Sequence, residues 1–269
     1  MWRCCRFFLA VSARAETSHV LVPIAITSAP LHGAFGSIWT TELVARNDSE
    51  SVVEVGPLRP CFIPEGCGTL RAPHSTFRPG GNAADPNAGL FLAIGLPEAI
   101  TFELRVLDIS RQGQTWGTVI PVVREKDVFT STLKLLDVTV DRRFRSTLRI
   151  YRFDTFTDFP PAVRVRIYDL CGLSPIDRNC SSTPIAETTL VLRKTENDPN
   201  HPDFAMIGNL VDAFPQLTNV QPIDLPPLNY FRPAAVRIEI EPLSPDLRFW
   251  AFVSVTNNEA QHVTVITPQ

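Results

Sequence analysis

Surplus positive charge, abundant glycine and long apolar runs are what this 269-residue chain lacks, and each deficit closes a class of function. A formal net charge of −3 gives the molecule no general attraction for nucleic acid. Past the first residues, no apolar stretch approaches the length a helix needs to cross a bilayer. Only 13 glycines occur, and no phosphate-cradling glycine loop or Gly-x-Ser-x-Gly elbow is among the motifs. The histidines His19, His32, His74, His201 and His262 are scattered, without the i, i+2 or i, i+4 pairing that holds a metal.

What is present suits a folded β protein. Hydrophobic residues make up 44% and charged residues 20%, which excludes general disorder. The length suffices for two ordinary domains, each burying a core. Proline is abundant at 24 residues; it cannot donate to a sheet ladder, so it favours strand edges and loops and argues against long helices.

The N-terminus reads as a short or truncated export signal, residues 1–15. Arg3 and Arg6 supply the charge, Phe7-Phe-Leu-Ala-Val11 the apolar patch and Ala13-Arg-Ala15 a small-x-small cleavage site. A chance hydrophobic N-terminus is the rival reading. Cleavage after Ala15 removes three arginines and takes the net charge from −3 to −6. Four of the six cysteines then remain, as two close pairs, Cys61 with Cys67 and Cys171 with Cys180. Disulfides closing such loops would contribute about 2–3 kcal/mol each in the chain-entropy picture. A four-cysteine zinc site is the alternative, though neither pair has tight ligand spacing.

The chain also says nearly the same thing twice. Trp39-Thr-Thr-Glu-Leu43 followed by Val52-Val-Glu-Val55 is echoed by Phe144-Arg-Ser-Thr-Leu148 followed by Val163-Arg-Val-Arg-Ile167. Leu107-Asp-Ile-Ser110 leading to Thr118-Val-Ile120 is echoed by Val253-Ser-Val-Thr256 leading to Thr264-Val-Ile266. The spacing between copies grows from 105 to 146 residues, so the second copy carries about 41 more, between Tyr168 and Arg237. Period-two alternation places Trp39, Thr41, Leu43 and Ala45 on one face, and Phe144, Ser146, Leu148 and Ile150 on one face. Strands apolar on one side belong in antiparallel sheets packed face to face.

The sequence therefore predicts an all-β fold of two tandem antiparallel β-sandwich (Ig-like) domains. They span 16–124 and 128–269, with the charged junction Arg124-Glu-Lys-Asp127 between them. Strands are expected near 20–26, 39–45, 89–94, 100–109 and 115–123. One short helix is expected at 204–214 in the second domain, capped by Asp203 and stopped by Pro215.

Gly33-Ala-Phe-Gly-Ser-Ile-Trp-Thr-Thr-Glu-Leu43, followed by Asn47-Asp-Ser49, resembles the opening of uncharacterised exported tandem β-sandwich (immunoglobulin-like) proteins of soil bacteria. Thr115-Trp-Gly-Thr-Val-Ile-Pro121 resembles the strand closing such a module. The resemblance covers most of the chain past the leader and implies fold and export, but no activity. In the second copy the Trp and the Asn are lost.

Few residues carry chemistry by pattern. Ser131-Thr-Leu-Lys134 has the Ser-x-x-Lys spacing but reads as strand and lacks the partner motifs. Glu239 and Glu241 share a strand face at roughly 7 Å, within the range of a glycosidase pair. Arg237 lies on the same face, and a solvated charged face is the preferred reading. The loop residues Asn197, Asp198, Asn200 and Asp203 offer oxygen ligands for Ca2+, against the ordinary turn that the same residues make. If strands 144–152 and 162–168 pair, Arg145, Arg149, Tyr151, Arg164, Arg166 and Tyr168 point one way. Such a face would hold carboxylate, phosphate or sugar; the rival reading is charge that keeps a sheet soluble. Phe153, Phe156 and Phe159 are expected to pack between domains, and Trp39, Trp116 and Trp250 in cores.

The resulting expectation is a non-catalytic exported structural or binding protein, periplasmic, surface-bound or secreted. It would need no cofactor and contact a protein or glycan partner, without nucleic acid and without a membrane span in the mature chain. A hydrolase or carbohydrate-active accessory module is the alternative.

Overall fold

A computed structural model describes residues 18–26, 29–57, 68–79, 85, 87–111, 116–154, 160–170, 182–194, 200–225 and 230–269. The leader, Cys61, Cys67, Cys171, Cys180, Asn197, Asp198, Phe156 and Phe159 lie outside these residues.

The N-terminal half contains β1 (Ser18–Val22), β2 (Leu31–His32), β3 (Ile38–Asn47), β4 (Val53–Pro57), β5 (Thr69–Arg71), β6 (Thr76–Phe77), β7 (Leu90–Ile94), β8 (Ile100–Asp108), β9 (Thr118–Ile120) and β10 (Val123–Arg124). After the turn Glu125–Asp127 come β11 (Leu133–Thr139), β12 (Phe144–Arg152), β13 (Ala162–Asp169), β14 (Ala186–Val191) and β15 (Phe204–Ile207). A short helix, α1 (Leu210–Ala213), precedes β16 (Ile223–Leu225), β17 (Tyr230–Arg232), β18 (Ala235–Pro242), β19 (Phe249–Asn257) and β20 (Val263–Ile266).

These strands form four antiparallel sheets and one two-stranded ribbon, β16-β17. Sheet I runs β10-β1-β7-β4-β5, and sheet II runs β2-β3-β8-β9 with β6 against β3. Sheet III runs β15-β12-β19-β20 and sheet IV runs β11-β18-β13-β14. The sequence repeat is thus a repeat of topology. In each half the main strands, counted along the chain, lie in the order 1-5-3-4 in one sheet and 2-6-7 in the other. Antibody domains order theirs A-B-E-D and C-F-G, so the architecture is a sandwich but the chain path is its own.

Register fixes which residues correspond. Trp39 lies opposite Asp108, and Phe144 opposite Asn257. Val106 lies opposite Thr118, and Val255 opposite Thr264, so the closing strands match as the sequence suggested. The preceding strands do not: Leu107 corresponds to Thr256 rather than Val253, because the path from Val255 to Thr264 is three residues shorter than that from Val106 to Thr118.

Two apolar clusters fill the sandwiches. One lies between sheets III and IV, around Leu135, Leu148, Ile167, Ile238, Ala251 and Val253. The other lies between sheets I and II, but it also takes in Tyr151, Phe153, Trp250, Phe252 and Val263 from the C-terminal half. The expected pair of separately sealed interiors is modified accordingly. His19 stacks on Phe153 with ring centres 4.5 Å apart, and Phe91 meets Phe153 edge-on at 5.7 Å. Full burial of Phe91, Phe153 and Phe252 is worth about 1.5–3 kcal/mol each.

Two local expectations are corrected. The helix over 204–214 shrinks to Leu210–Ala213, because Phe204–Ile207 finds an open strand edge and pairs with β12. Asp203 caps nothing there; Arg152 holds its carboxylate. Trp116 is 79% exposed, under the Arg105 guanidinium at 5.2 Å, whereas Trp39 and Trp250 are core. It precedes β9 rather than lying in it, so strand alternation never turns it inward.

Candidate functional site

The six residues expected on one face fall on two sheets, since β12 pairs with β15 and β19 while β13 pairs with β14 and β18. That premise is corrected: the sandwich puts β12 and β13 in opposite layers. Arg164, Arg166 and Tyr168 point outward from sheet IV, where opposite charges face them across the ladder. Arg164 and Arg166 approach Glu241 at 3.3 and 2.9 Å, and Arg166 reaches Glu187 at 3.0 Å. Arg237 covers the Tyr168 ring at 4.5 Å and lies 3.6 Å from Glu239, which also meets Lys134 at 3.7 Å. This face neutralises itself, and Glu239 and Glu241 are bound up in it. Such exposed pairs contribute about 0–1 kcal/mol each.

Arg145, Arg149 and Tyr151 point the other way, from sheet III toward the N-terminal half. The face they share divides along β12. At one end Tyr151 lies opposite Trp250 and Phe204, next to Phe252, and this aromatic patch is covered by the N-terminal half. The Tyr151 hydroxyl donates toward the Pro23 and Asn87 carbonyls, and burial pushes its pKa up. At the other end Arg149, Thr147 and Arg145 lie beside Met206, Ser254 and Thr256, and here the cover stops.

The space left is a half-enclosed cleft of about 310 Å³ between the halves. Its opposite wall is the inner side of sheet II and the chain beyond β1, presenting Ile24, Ile26, Leu31, Trp39, Val106 and Ile120. Trp39 is oriented by donating its indole N–H to Ser37 Oγ at 2.9 Å. Gly33 lets the ring lie flat on the loop, since a Cβ there would come within 2.5 Å of Trp39 Nε1. Thr147 donates to the Gly208 carbonyl at 2.7 Å and fixes the rim after β15.

The cationic wall is underserved by the protein. Arg149 donates to Ser254 Oγ at 2.8 Å and to Asn87 Oδ1 at 3.2 Å, while its buried Nε has no acceptor. The group keeps a strip of exposed surface, yet protein surrounds it closely enough that burial depresses its pKa, with the Arg145 charge adding to the effect. Arg145 has no hydrogen-bond or ion-pair partner among the described residues. The nearest compensation is indirect: Asp85 accepts from Asn87, whose own oxygen accepts from Arg149. None of the described lining residues is acidic.

Of the four residues considered for calcium, Asn197 and Asp198 lie outside the described residues. Asp203 sits 3.1 Å from Arg152, both nearly sealed from solvent, and no cluster of metal-binding side chains occurs among the described residues. No described helix is long and apolar enough to cross a membrane. Comparison with protein-family models, curated proteins and solved structures gives no match.

Trp39, Met206, Ser254 and Thr256 do not stand out as site residues in the sequence. They come from three strands spread over more than 200 residues, and only the repeat's unequal outer faces hint that they meet.

Proposed function

We propose that this chain is a non-catalytic binding protein, exported in its mature form, whose ligand seat is the cleft between its halves. The observation that carries the reading is a built cavity with an apolar wall facing two arginines that lack a carboxylate partner among the described residues. Cavities of this size and mixed lining are characteristic of small-molecule sites. The described lining offers hydroxyls and guanidinium groups but no carboxylate, imidazole or thiol to serve as a base, which favours holding over turnover. The outer face of sheet IV, where a protein or glycan contact was expected, gives less support because its charges are already matched. Export is supported by the charged, apolar and small-residue segments of the first 15 residues and by the paired cysteines. The hydrolase alternative draws no support from Glu239 and Glu241, which lie outside the cleft among cations.

The test uses Gly208, whose missing Cβ faces open space on the cleft wall. Gly208→Leu sets a bulky side chain on the cleft wall from a position where a Cβ meets nothing within 4 Å. Small molecules from a mixed library that raise the melting temperature of the wild type are expected to leave this variant unmoved. Ligands that stabilise both equally, or any that are turned over, would count against the reading.

A further inference from the structure

Resting on that binding reading, we infer that the cleft takes a small organic acid. Its anionic head sits between Arg145 and Arg149, and its aliphatic or aromatic body lies against Ile24, Trp39, Val106 and Ile120.

Charge balance makes the argument first. Many of the other described arginines stand against carboxylates: Arg46 with Asp48, Arg152 with Asp203, Arg164 and Arg166 with Glu241, Arg248 with Glu125. Arg145 and Arg149 instead line the same cleft from one face of one strand, Arg149 half-buried, with a neutral amide as the closest link to Asp85. Two like charges partly removed from water raise the energy of the empty site. An anion placed between them converts that repulsion into two attractive contacts, and guanidinium forks suit the planar oxygens of a carboxylate. Because Asp85 offsets part of the charge through Asn87, a single negative charge balances the site better than a double one.

The opposite wall decides what kind of body the head carries. It is aliphatic apart from Trp39, and the indole N–H of Trp39 is already used by Ser37. A polyol laid there would lose its water without gaining acceptors or donors. A hydrocarbon or aryl body loses nothing and buries apolar surface. At about 310 Å³ the cleft lies at the small end of ligand pockets, a scale that suits a small organic acid such as an eight-carbon one.

The probes are octanoate, acetate and octan-1-ol, titrated calorimetrically into the full chain. Octanoate is expected to bind at least about tenfold tighter than either partial mimic, and Gly208→Leu is expected to abolish its binding. Arg149→Met and, separately, Arg145→Met should each weaken octanoate about tenfold or more while leaving octan-1-ol within about twofold. Arg145 has no hydrogen-bond or ion-pair partner among the described residues, so its variant keeps the test valid even if Arg149→Met folds poorly. Octan-1-ol or acetate matching octanoate, with Gly208→Leu still abolishing binding, overturns the organic-acid assignment and leaves the cleft as a ligand site. Binding of every probe that ignores Gly208→Leu, or no binding at all, overturns both.

Discussion

Strands β3 and β12 are the same strand of the repeat, and their differences explain the molecule. Inward they agree: Trp39 and Ala45 in one, Ser146, Leu148 and Ile150 in the other, are buried in sandwich cores. Outward they part. On β3, Glu42 and Arg46 meet Arg78 and Asp48 at the surface, an ordinary solvated face. On β12, Arg145, Thr147, Arg149 and Tyr151 occupy corresponding positions but face the other half of the chain. Corresponding faces of the repeat thus meet solvent in one half and form a half-closed interface in the other. A cleft arises where that interface ends.

The same strands also end differently. Asn47 closes β3 with a neutral knot. Its amide N–H groups donate to the carbonyls of Ser51, Arg71 and Ala72 at 2.7–3.1 Å, and its oxygen accepts from Ser49. Counting from Trp39 and Phe144, the equivalent residue of β12 is Arg152, which closes with the buried ion pair to Asp203. Removing one charge strands the other in the interior. Arg152→Met is therefore expected to cost about 3–5 kcal/mol in urea unfolding, and Arg152→Met with Asp203→Leu to recover most of it. A single variant that costs under about 1 kcal/mol would show the pair to be dispensable. Asn47→Ala leaves neutral carbonyls in want of a donor and is expected to cost less, about 2–3 kcal/mol by the same measurement. Equal losses at the two positions would remove the distinction between a neutral and an ionic knot.

These contrasts also mark how far the sequence can be read. Alternation and the repeat make the sandwich class, the strand faces and the closing strands legible, because burial on one face has a period of two that survives in one sequence. The three-residue slip between β8 and β19 is hidden: the apolar letters match at either register, and only loop length separates them. Phe204–Ile207 reads as helix because an open edge on β12 is a tertiary fact. The site is half legible. Arg145 and Arg149 stand out as cations on an alternating strand, but which way that face points depends on how the halves stack, which no local pattern encodes.

Two glycines on the cleft sharpen the comparison further, one from each half. A Cβ on Gly33 would come 2.4 Å from Ser37 Oγ and 2.5 Å from Trp39 Nε1, whereas one on Gly208 meets nothing within 4 Å. Gly33→Ala is expected to destabilise by about 2 kcal/mol and to shift the Trp39 fluorescence. Gly208→Ala should stay within about 0.5 kcal/mol of the wild type. A neutral Gly33→Ala would mean the Trp39 loop yields freely, and with it that wall of the cleft.

A last contrast separates the halves by pH. Asp108 and Asn257 hold corresponding places at the ends of β8 and β19, and both oxygens accept backbone N–H groups. Asn257 takes those of Glu259 and Ala260 at 2.9 Å, and Asp108 takes those of Ile38 at 3.0 Å and Ser110 at 3.1 Å. Only Asp108 can titrate. Burial pushes its pKa up, but the hydrogen bonds from Ser110 and Ile38 and the Arg111 charge outweigh this and hold it below the ordinary value of 3.8. A carboxylate depressed on folding adds stability that is present above its unfolded value and lost as pH falls through its folded one. Asp108→Asn is expected to be about 1–2 kcal/mol less stable than wild type at pH 7, as bonds to a charged acceptor become bonds to a neutral one. Its urea midpoint should then fall less steeply below pH 4, so that the two proteins converge in acid. Parallel curves from pH 7 to pH 2 would mean that Asp108 is no better served in the folded state than in the unfolded one.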